Sequence, residues 1–536
     1  MTLNVFVTDG IDPDGIAVLR NVPSFSVEES PTLPAAELIA RVGRYDAIVG
    51  RSATRISPEL LRAASRLRVI GRAGVGVDNI ALDLATELGI AVINAPAGNT
   101  VAVAELFFGN VLGLLRQIPF ANASMHEGRW ERNTLMGSEL RGKTLGIIGV
   151  GRIGTAIARR ARAFEMELIG YDPYIADERF GSLGIQRCTT LDELLARADI
   201  VTVHTPLNDE TSGMIGAAEL SQMKGGAIVA NLARGGIVNE QALADACASG
   251  HLRGAVVDAF TKEPLTGASP LGALDNVLLT PHLGASTAEA QRDVAVDVCE
   301  AVRDALLTGE LSRSINAASA GSDWREVQGA LMLATRAASV ARAWLADRNA
   351  RALTGITLRL GPELKASAPV LLAAAAVGAL SGVVEATRIN LVNARAVAAA
   401  RNIELGVVDP GETLHPRALE VHLRAGREEM RVGGTAVTGE HPRLTRVGPF
   451  YVDVAPRGTL IVLSNRDVPG VIGRVGTLLG DAGVNIAEYH QARLAQGGDA
   501  LALISVDGHI DEATRKRLLD LVEVRSATVV TFADGP

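Results

Sequence analysis

Three polar residues of the kind that move protons and hold carboxylates stand at the ends of short apolar runs. Arg234 lies in Asn231–Gly236 (NLARGG), Glu263 in Asp258–Pro264 (DAFTKEP) and His282 in Pro281–Ala285 (PHLGA). Together they suit dehydrogenation of a hydroxy acid. An alcohol gives up a hydride only if its hydroxyl proton leaves too, and an imidazole with an ordinary pKa near ~6.5 can take that proton. A carboxylate on the other ring nitrogen fixes the tautomer and stabilises the imidazolium, a role open to Glu263. A guanidinium fork matches a substrate carboxylate, a role open to Arg234. No His, Cys or acidic residues fall at metal-ligand spacing, so no metal is expected and the hydride passes to an organic cofactor.

The stretch Lys143–Pro173 supplies a place for that cofactor. An apolar run of strand length, Thr144–Gly149, leads into Gly149, Gly151 and Gly154, spaced G-x-G-x-x-G. A helical pattern follows, with Ile153, Ile157, Ala161 and Phe164 on one face, and then a short run, Leu168–Gly170, that ends at Asp172. Gly149 permits the turn, Gly151 lets backbone N–H groups approach a pyrophosphate, and Gly154 lets the helix pack close to the strand. The pyrophosphate would sit at the helix N-terminus. Asp172 follows Gly149 at close to the usual ~20-residue spacing, where a carboxylate accepts from both ribose hydroxyls and repels a 2′-phosphate. The spacing predicts dinucleotide binding, with NAD favoured over NADP.

The elements that must position these residues read as parallel α/β layers. Runs Asn4–Thr8, Ala47–Val49, Leu67–Gly71 and Ala91–Asn94 alternate with helical patterns. Arg51 and Arg72 stand just beyond two of these runs, where open α/β sheets bind ligands. A long apolar helix runs from Asn99 towards Arg116. A second βα series fills Gly146–Pro281, with runs Ile200–Thr205, Ala227–Ala230, Ala255–Val257 and Val277–Thr280. The simplest account is two doubly wound parallel sheets, one inserted in the other, with helical chain after Leu283 completing the first. This gives a discontinuous substrate-binding domain over 1–97 and 283–316, and a Rossmann-type nucleotide domain over 98–282. After a small-residue linker at Ser312–Ala320, residues 317–455 form an α/β intervening domain with Ala-rich helices and apolar runs at Gly355–Leu360 and Asn390–Leu391. Residues 458–536 read as a ferredoxin-like βαββαβ module, with strands at Thr459–Ser464, Val484–Ala492, Ala500–Val506 and Ala527–Phe532 and helices at Val471–Ala482 and Asp511–Leu521.

With 536 residues, 48% hydrophobic and only 3% aromatic, the chain can build several cores, mainly from small aliphatics. A net charge of −8 makes it a poor partner for nucleic acid or acidic membranes. The uncharged run Ala366–Val384 reaches membrane-spanning length but is rich in Ala, Gly and Ser, and reads as a buried helix. Cys188, Cys247 and Cys299 show no disulfide framework or zinc spacing, and the first residues lack a secretory pattern. A cytoplasmic location is expected.

The motifs together resemble the D-isomer-specific 2-hydroxyacid dehydrogenases, in the long phosphoglycerate branch with two extra C-terminal domains. The match is carried by RSAT (Arg51–Thr54), GRAGVGVDNI (Gly71–Ile80), WER (Trp130–Arg132), GKTLGIIGVGRIG (Gly142–Gly154), VHTPL (Val203–Leu207), NLARGGIV (Asn231–Val238), PHLGAST (Pro281–Thr287), INLVNA (Ile389–Ala394) and Asn465–Ala487. The resemblance implies that Arg234, Glu263 and His282 are catalytic. It also implies NAD contacts at Val75, Gly149, Gly151, Arg152, Ile153, Gly154, Asp172, Thr205, Leu232, Ala233, Asp258, His282, Gly284 and Ala285. Arg51, Arg72, Arg234 and a neighbouring subunit's Arg132 would hold the substrate.

The implied reaction is NAD-linked oxidation of 3-phospho-D-glycerate to 3-phosphohydroxypyruvate, the first step of phosphorylated L-serine synthesis, in a homodimer or homotetramer. Two other readings are a glyoxylate or hydroxypyruvate reductase of the same fold, and a binding protein that uses NAD as a sensor. The terminal module resembles ACT domains, which sense amino acids. That resemblance implies L-serine as an effector held by Asp467 and Asn485, although by type alone both suit a helix cap and a turn. Asn465 stands where some serine-inhibited relatives carry an aromatic residue.

Overall fold

The computed structural model describes residues 2–265, 269–381, 389–409, 415–437 and 441–532. Four sheets organise them. The first is all parallel, in the spatial order Phe25–Glu29, Leu3–Val7, Ala47–Gly50, Val69–Arg72, Ala91–Asn94. Its central strands are buried on both faces, which is why they read as unbroken apolar runs. The edge strand Phe25–Glu29 (FSVEE) is half polar and gives no such signal. Helix Ala288–Thr308 returns to this sheet after the inserted domain. Its Val294, Val298 and Val302 pack with Val5, Val7, Val49 and Val69. Thr287 starts the helix by accepting from the Ala290 N–H at 3.1 Å.

The inserted sheet has seven parallel strands, in the order Val277–Leu279, Gly254–Val257, Ile228–Asn231, Ile200–Val203, Thr144–Ile148, Glu167–Tyr171, Gln186–Arg187. The direction of winding reverses between Thr144–Ile148 and Ile200–Val203. Crevices for ligands open beyond the carboxyl ends of strands at such a reversal.

The third sheet differs from a parallel α/β layer. Glu404–Val407 pairs in parallel with Gly355–Leu360, but Ala418–Ala425, Glu428–Thr435, Arg443–Val447 and Phe450–Val454 continue as an antiparallel meander. Helices Trp324–Asp347 and Ala368–Leu380 cover it. The stretch Pro362–Leu380 is long and apolar enough to cross a membrane, but Val370, Leu371 and Ala373–Ala376 lie in the protein core. The end of the expected run to Val384 falls outside the described residues. Asn390–Leu391 lies in a turn before helix Ala394–Ala399, closed by the Val392 N–H donating to Asn390 Oδ1 at 2.9 Å.

The fourth sheet is antiparallel, in the order Ile486–Arg493, Asp499–Val506, Thr459–Arg466, Val524–Thr531. Helices Val471–Asp481 and Glu512–Leu519 cover one face. The other face, with Leu460, Val462, Leu501, Leu503 and Val530, shares one core with helix Trp324–Asp347.

Candidate active site

The glycine fingerprint has the geometry its spacing predicts. Gly149 takes φ +86°, a conformation most side chains disfavour, and a Cβ on it would lie 2.6 Å from the His204 carbonyl oxygen. A Cβ on Gly154 would lie 2.3 Å from the Gly149 carbonyl oxygen, so only glycine lets helix Arg152–Ala163 start this close to the strand. At Gly151 the same position meets no atom within 4 Å, leaving open space in front of the helix N-terminus that carries Arg152 and Ile153. Asp172 is aimed by its own turn: Oδ2 accepts the Val150 N–H at 2.9 Å and Oδ1 the Tyr174 N–H at 3.0 Å. The Thr205 hydroxyl beside the fingerprint is buried without a protein partner. An open cradle, a helix N-terminus, an aimed carboxylate and an orphaned hydroxyl fit a dinucleotide.

The catalytic candidates come together across three strand ends. His282 Nδ1 lies 2.7 Å from Glu263 Oε2. The other oxygen, Oε1, accepts the Phe260 N–H at 2.9 Å, so both oxygens of the carboxylate are engaged as acceptors. His282 sits at φ +52° in a loop anchored by Asp258. That carboxylate is 1% exposed. Its Oδ1 accepts from the Thr280 hydroxyl at 2.6 Å and the Leu283 N–H at 2.7 Å, and its Oδ2 from the Gly284 N–H at 2.9 Å. These bonds make Asp258 the anchor that brackets His282 on both sides. Arg234 reaches the site because its loop touches the Glu263 loop backbone to backbone, at a position where a Cβ on Gly235 would overlap the Phe260 carbonyl carbon.

One cleft of about 620 Å³ contains His282, Glu263, Arg234, Arg51 and Arg72, with Val75 and Ala285 on its wall. It lies between the first two sheets. Burial first, then the charges of Arg51 and Arg234, push Arg72 down to about 10, and its Nε–H is buried without a partner. Three convergent cations, one of them with an unmet buried donor, suit the cleft to an anion. The loop of Arg51 is set by Asp9, which sequence reasoning missed. Asp9 accepts the N–H groups of Arg51 (2.8 Å) and Thr54 (2.9 Å) and the hydroxyls of Thr54 (2.6 Å) and Thr32 (2.7 Å). Burial opposes its ionisation, but these hydrogen bonds outweigh burial and hold the carboxyl below its ordinary range. Asn99, Asp78 and Gln291 also line the cleft; Asp78 lies within the GRAGVGVDNI motif, but sequence reasoning assigned none of the three a role.

Leu232 and Ala233 follow strand Ile228–Asn231 into the Arg234 loop, where the Ala233 N–H donates to Asn231 Oδ1 at 3.2 Å. His204 in VHTPL is no rival base: burial drives it down to about 3, and its Nε2 pairs with the Thr202 hydroxyl at 2.8 Å.

Two expectations are not brought together within the chain. Arg132 is exposed and does not line the cleft. In the fourth sheet, Asp467 Oδ2 accepts from Arg493 Nη1 at 3.1 Å and the Gly497 N–H at 3.2 Å, whereas Asn485 donates to Asp507 Oδ2 at 2.7 Å. The two residues have separate partners. Among the described residues no cluster of His, Cys, Asp and Glu could hold a metal ion.

The comparisons agree with this geometry. Residues 108–284 match the model of the D-isomer specific 2-hydroxyacid dehydrogenase NAD-binding domain, and residues 459–523 match the ACT domain. D-3-phosphoglycerate dehydrogenase of Methanocaldococcus jannaschii is 36% identical over 99% of this chain and 100% of its own. That of Synechocystis sp. is 38% identical over 98% of this chain and 94% of its own. Among solved structures, a glyoxylate reductase from Paecilomyes thermophila is 30% identical (TM-score 0.54, 59% of this chain and 99% of that one). D-Lactate dehydrogenase from Aquifex aeolicus, complexed with NAD and lactic acid, is 28% identical (TM-score 0.52, 58% of this chain and 97% of that one). The chain belongs to the D-3-phosphoglycerate dehydrogenase family of the D-isomer-specific 2-hydroxyacid dehydrogenases.

Proposed function

We propose that this protein oxidises 3-phospho-D-glycerate to 3-phosphohydroxypyruvate, the first step of phosphorylated L-serine synthesis. The observation that carries the reading is the placement of the His282–Glu263 pair in one cleft with Arg234, Arg51 and Arg72. NAD, when bound along the Gly149–Gly154 turn with its ribose at Asp172, supplies the hydride acceptor. His282 Nε2 takes the hydroxyl proton, because Glu263 holds the Nδ1 side. The imidazolium that forms stays paired with the carboxylate. Arg234 holds the substrate carboxylate beside the imidazole, and Arg51 and Arg72 meet the phosphate. Each charge-assisted hydrogen bond is worth about 1.5–3 kcal/mol, so an unphosphorylated hydroxy acid forgoes several such increments.

Arg132 completes the phosphate site from a neighbouring subunit. The exposed Val101, Ile118, Phe120, Met125, Trp130 and Met136 on the same domain support a dimer there. L-Serine is the effector to try on the ACT domain. The free Cys188, Cys247 and Cys299 support a reducing, cytoplasmic setting.

The test is NADH formation from NAD and 3-phospho-D-glycerate at alkaline pH, with and without L-serine, beside the reverse reaction. No turnover in either direction with NAD bound refutes the substrate assignment. Efficient reduction of glyoxylate with no preference for phosphorylated acids would move the protein to the glyoxylate reductase reading.

A further inference from the structure

Arg51, Arg72 and Arg234 face a cleft lined by the carboxylates Asp12, Glu263 and Asp78, with Asp9 behind it. Asp12 accepts the Asp14 N–H at the start of its helix, and Glu263 is held by the Phe260 N–H and His282. Asp9 is committed to the Arg51 loop through the N–H groups of Arg51 and Thr54 and the hydroxyls of Thr54 and Thr32. Asp78 is not committed. Its side chain is 75% exposed, and Oδ2 lies 3.4 Å from Arg234 Nε, an ion pair longer than an ordinary N–H···O hydrogen bond. Arg234 Nη1 donates to its own Ala233 carbonyl at 2.8 Å, which fixes the guanidinium while Nε faces Asp78. The pair closes over Gly76, where a Cβ would come within 2.3 Å of Arg234 Nη2 and 2.8 Å of Asp78 Oδ2. Asp78 also acts on Arg72, offsetting part of the repulsion from the other two arginines.

We infer that Asp78 is an exchangeable counter-ion, holding on Arg234 the seat that a substrate carboxylate takes when it binds. The inference rests on the assignment of Arg234 above. Its consequence is a threshold. Every carboxylate that enters must displace Asp78 before it gains Arg234. A ligand that also carries a phosphate gains Arg51 and Arg72 as well and clears the threshold. A simple monocarboxylate exchanges one carboxylate for another and gains little. Asp78 thus costs every entering carboxylate the same increment and sets how weakly a single-charge acid binds, while the ratio between phosphorylated and simple acids is left to Arg51 and Arg72.

The test is Asp78→Asn, which keeps the shape and removes the charge. Three ligands separate the two ends of the cleft: 3-phospho-D-glycerate, D-glycerate (carboxylate only) and glycerol 3-phosphate (phosphate only). The loss of an exposed ion pair predicts that KM for 3-phospho-D-glycerate and Ki for D-glycerate fall together, about two- to fivefold. Ki for glycerol 3-phosphate and KM for NAD stay where they are. Asp78→Glu, which keeps the charge, leaves D-glycerate as weak as in the wild type. A rise in KM, or an equal fall for glycerol 3-phosphate, overturns the inference, because the first makes Asp78 a support for Arg234 and the second a general field effect. If the wild type does not turn over 3-phospho-D-glycerate, the proposed function fails by itself. Thermal shift of wild type and Asp78→Asn with D-glycerate and with glycerol 3-phosphate then decides the counter-ion question. A gain confined to D-glycerate supports it, and equal shifts in the two proteins refute it.

Discussion

Replacing Glu263 by Gln tests the catalytic pair more sharply than replacing it by Ala. In the wild type both carboxylate oxygens accept: Oε1 from the Phe260 N–H at 2.9 Å, and Oε2 from His282 Nδ1 at 2.7 Å. A glutamine has one acceptor oxygen and one donor NH2. If its oxygen stays on Phe260, the NH2 faces His282 Nδ1 and forces the ring proton onto Nε2, the atom that must accept the substrate proton. If its oxygen turns to His282, the NH2 opposes the Phe260 N–H, and an unmade backbone hydrogen bond costs about 1–3 kcal/mol. The first arrangement is therefore favoured, and the imidazole is held in the unproductive tautomer. Loss of the charged partner for the imidazolium adds roughly 1–2 kcal/mol, taken at the low end because His282 and Glu263 are 46% and 35% exposed. Together these predict a fall in kcat of about 10²- to 10³-fold, with KM for substrate changing less than about threefold. Glu263→Ala imposes no tautomer and retains more activity than Glu263→Gln. Steady-state NADH absorbance reads both variants. A Gln variant as active as the Ala variant, or a loss carried by KM, would refute the tautomer argument.

The remaining expectations concern other parts of the molecule. Arg51→Ala and Arg132→Ala should each raise KM for 3-phospho-D-glycerate by roughly 10- to 100-fold, the loss of one charge-assisted bond, and leave kinetics with an unphosphorylated hydroxy acid unchanged; equal effects on both substrates would remove these arginines from the phosphate site. Asp9 is held below its ordinary range, so the stability it contributes is complete above pH roughly 4 and is lost as pH falls through its lower folded value. Asp9→Asn should lower Tm at neutral pH, with the gap to wild type closing as the solution is acidified; a gap independent of pH would refute the charge argument. Because one face of the ACT sheet shares its core with helix Trp324–Asp347, deleting 458–536 should give insoluble protein, whereas deleting 317–536 should give soluble protein that still binds NAD. Soluble, cooperatively melting protein from the first deletion would show the two C-terminal units to be independent.

What was legible in the sequence was local. The fingerprint is read from three glycines and an acid because strand, turn and helix follow one another directly in the chain. Arg51 and Arg72 are read because strands buried on both faces make unbroken apolar runs whose ends are plain. His282 and Glu263 could be named as types, but their 2.7 Å contact depends on the Asp258 anchor, which only the folded loop reveals. The roles of Asp9 and Asp78 could not be read locally, although Asp78 stands in GRAGVGVDNI, since their partners Arg51 and Arg234 lie 42 and 156 residues away in the chain. The antiparallel strands of the third sheet escaped notice because strands such as Glu428–Thr435 and Arg443–Val447 carry arginines and glutamates among their apolar residues. Edge strands Phe25–Glu29 and Gln186–Arg187 are polar or very short for the same physical reason: one side meets water.

The motif INLVNA shows how a stretch can be recognised before its work is known. Its two asparagines lie in the third unit but act on the first. Asn390 Nδ2 donates to the Gly89 carbonyl at 2.7 Å, and Asn393 Nδ2 to the Glu87 carbonyl at 3.2 Å. These carbonyls lie at the end of helix Leu82–Glu87, where the last turn has no intrahelical partners of its own. Between them Val392 enters the core formed by Val5, Val7, Val298 and Cys299. The strand that follows this helix, Ala91–Asn94, ends at Asn94, whose Nδ2 donates to the Val75 carbonyl at 2.6 Å. Val75 belongs to the cleft loop that carries Asp78. The ACT sheet shares a core with the third unit, the third unit caps a helix beside the first sheet, and the strand after that helix holds the loop facing Arg234. The ACT sheet and the anion site are thus joined by contiguous side chains and short rigid elements, the kind of physical route that coupling between distant sites can use.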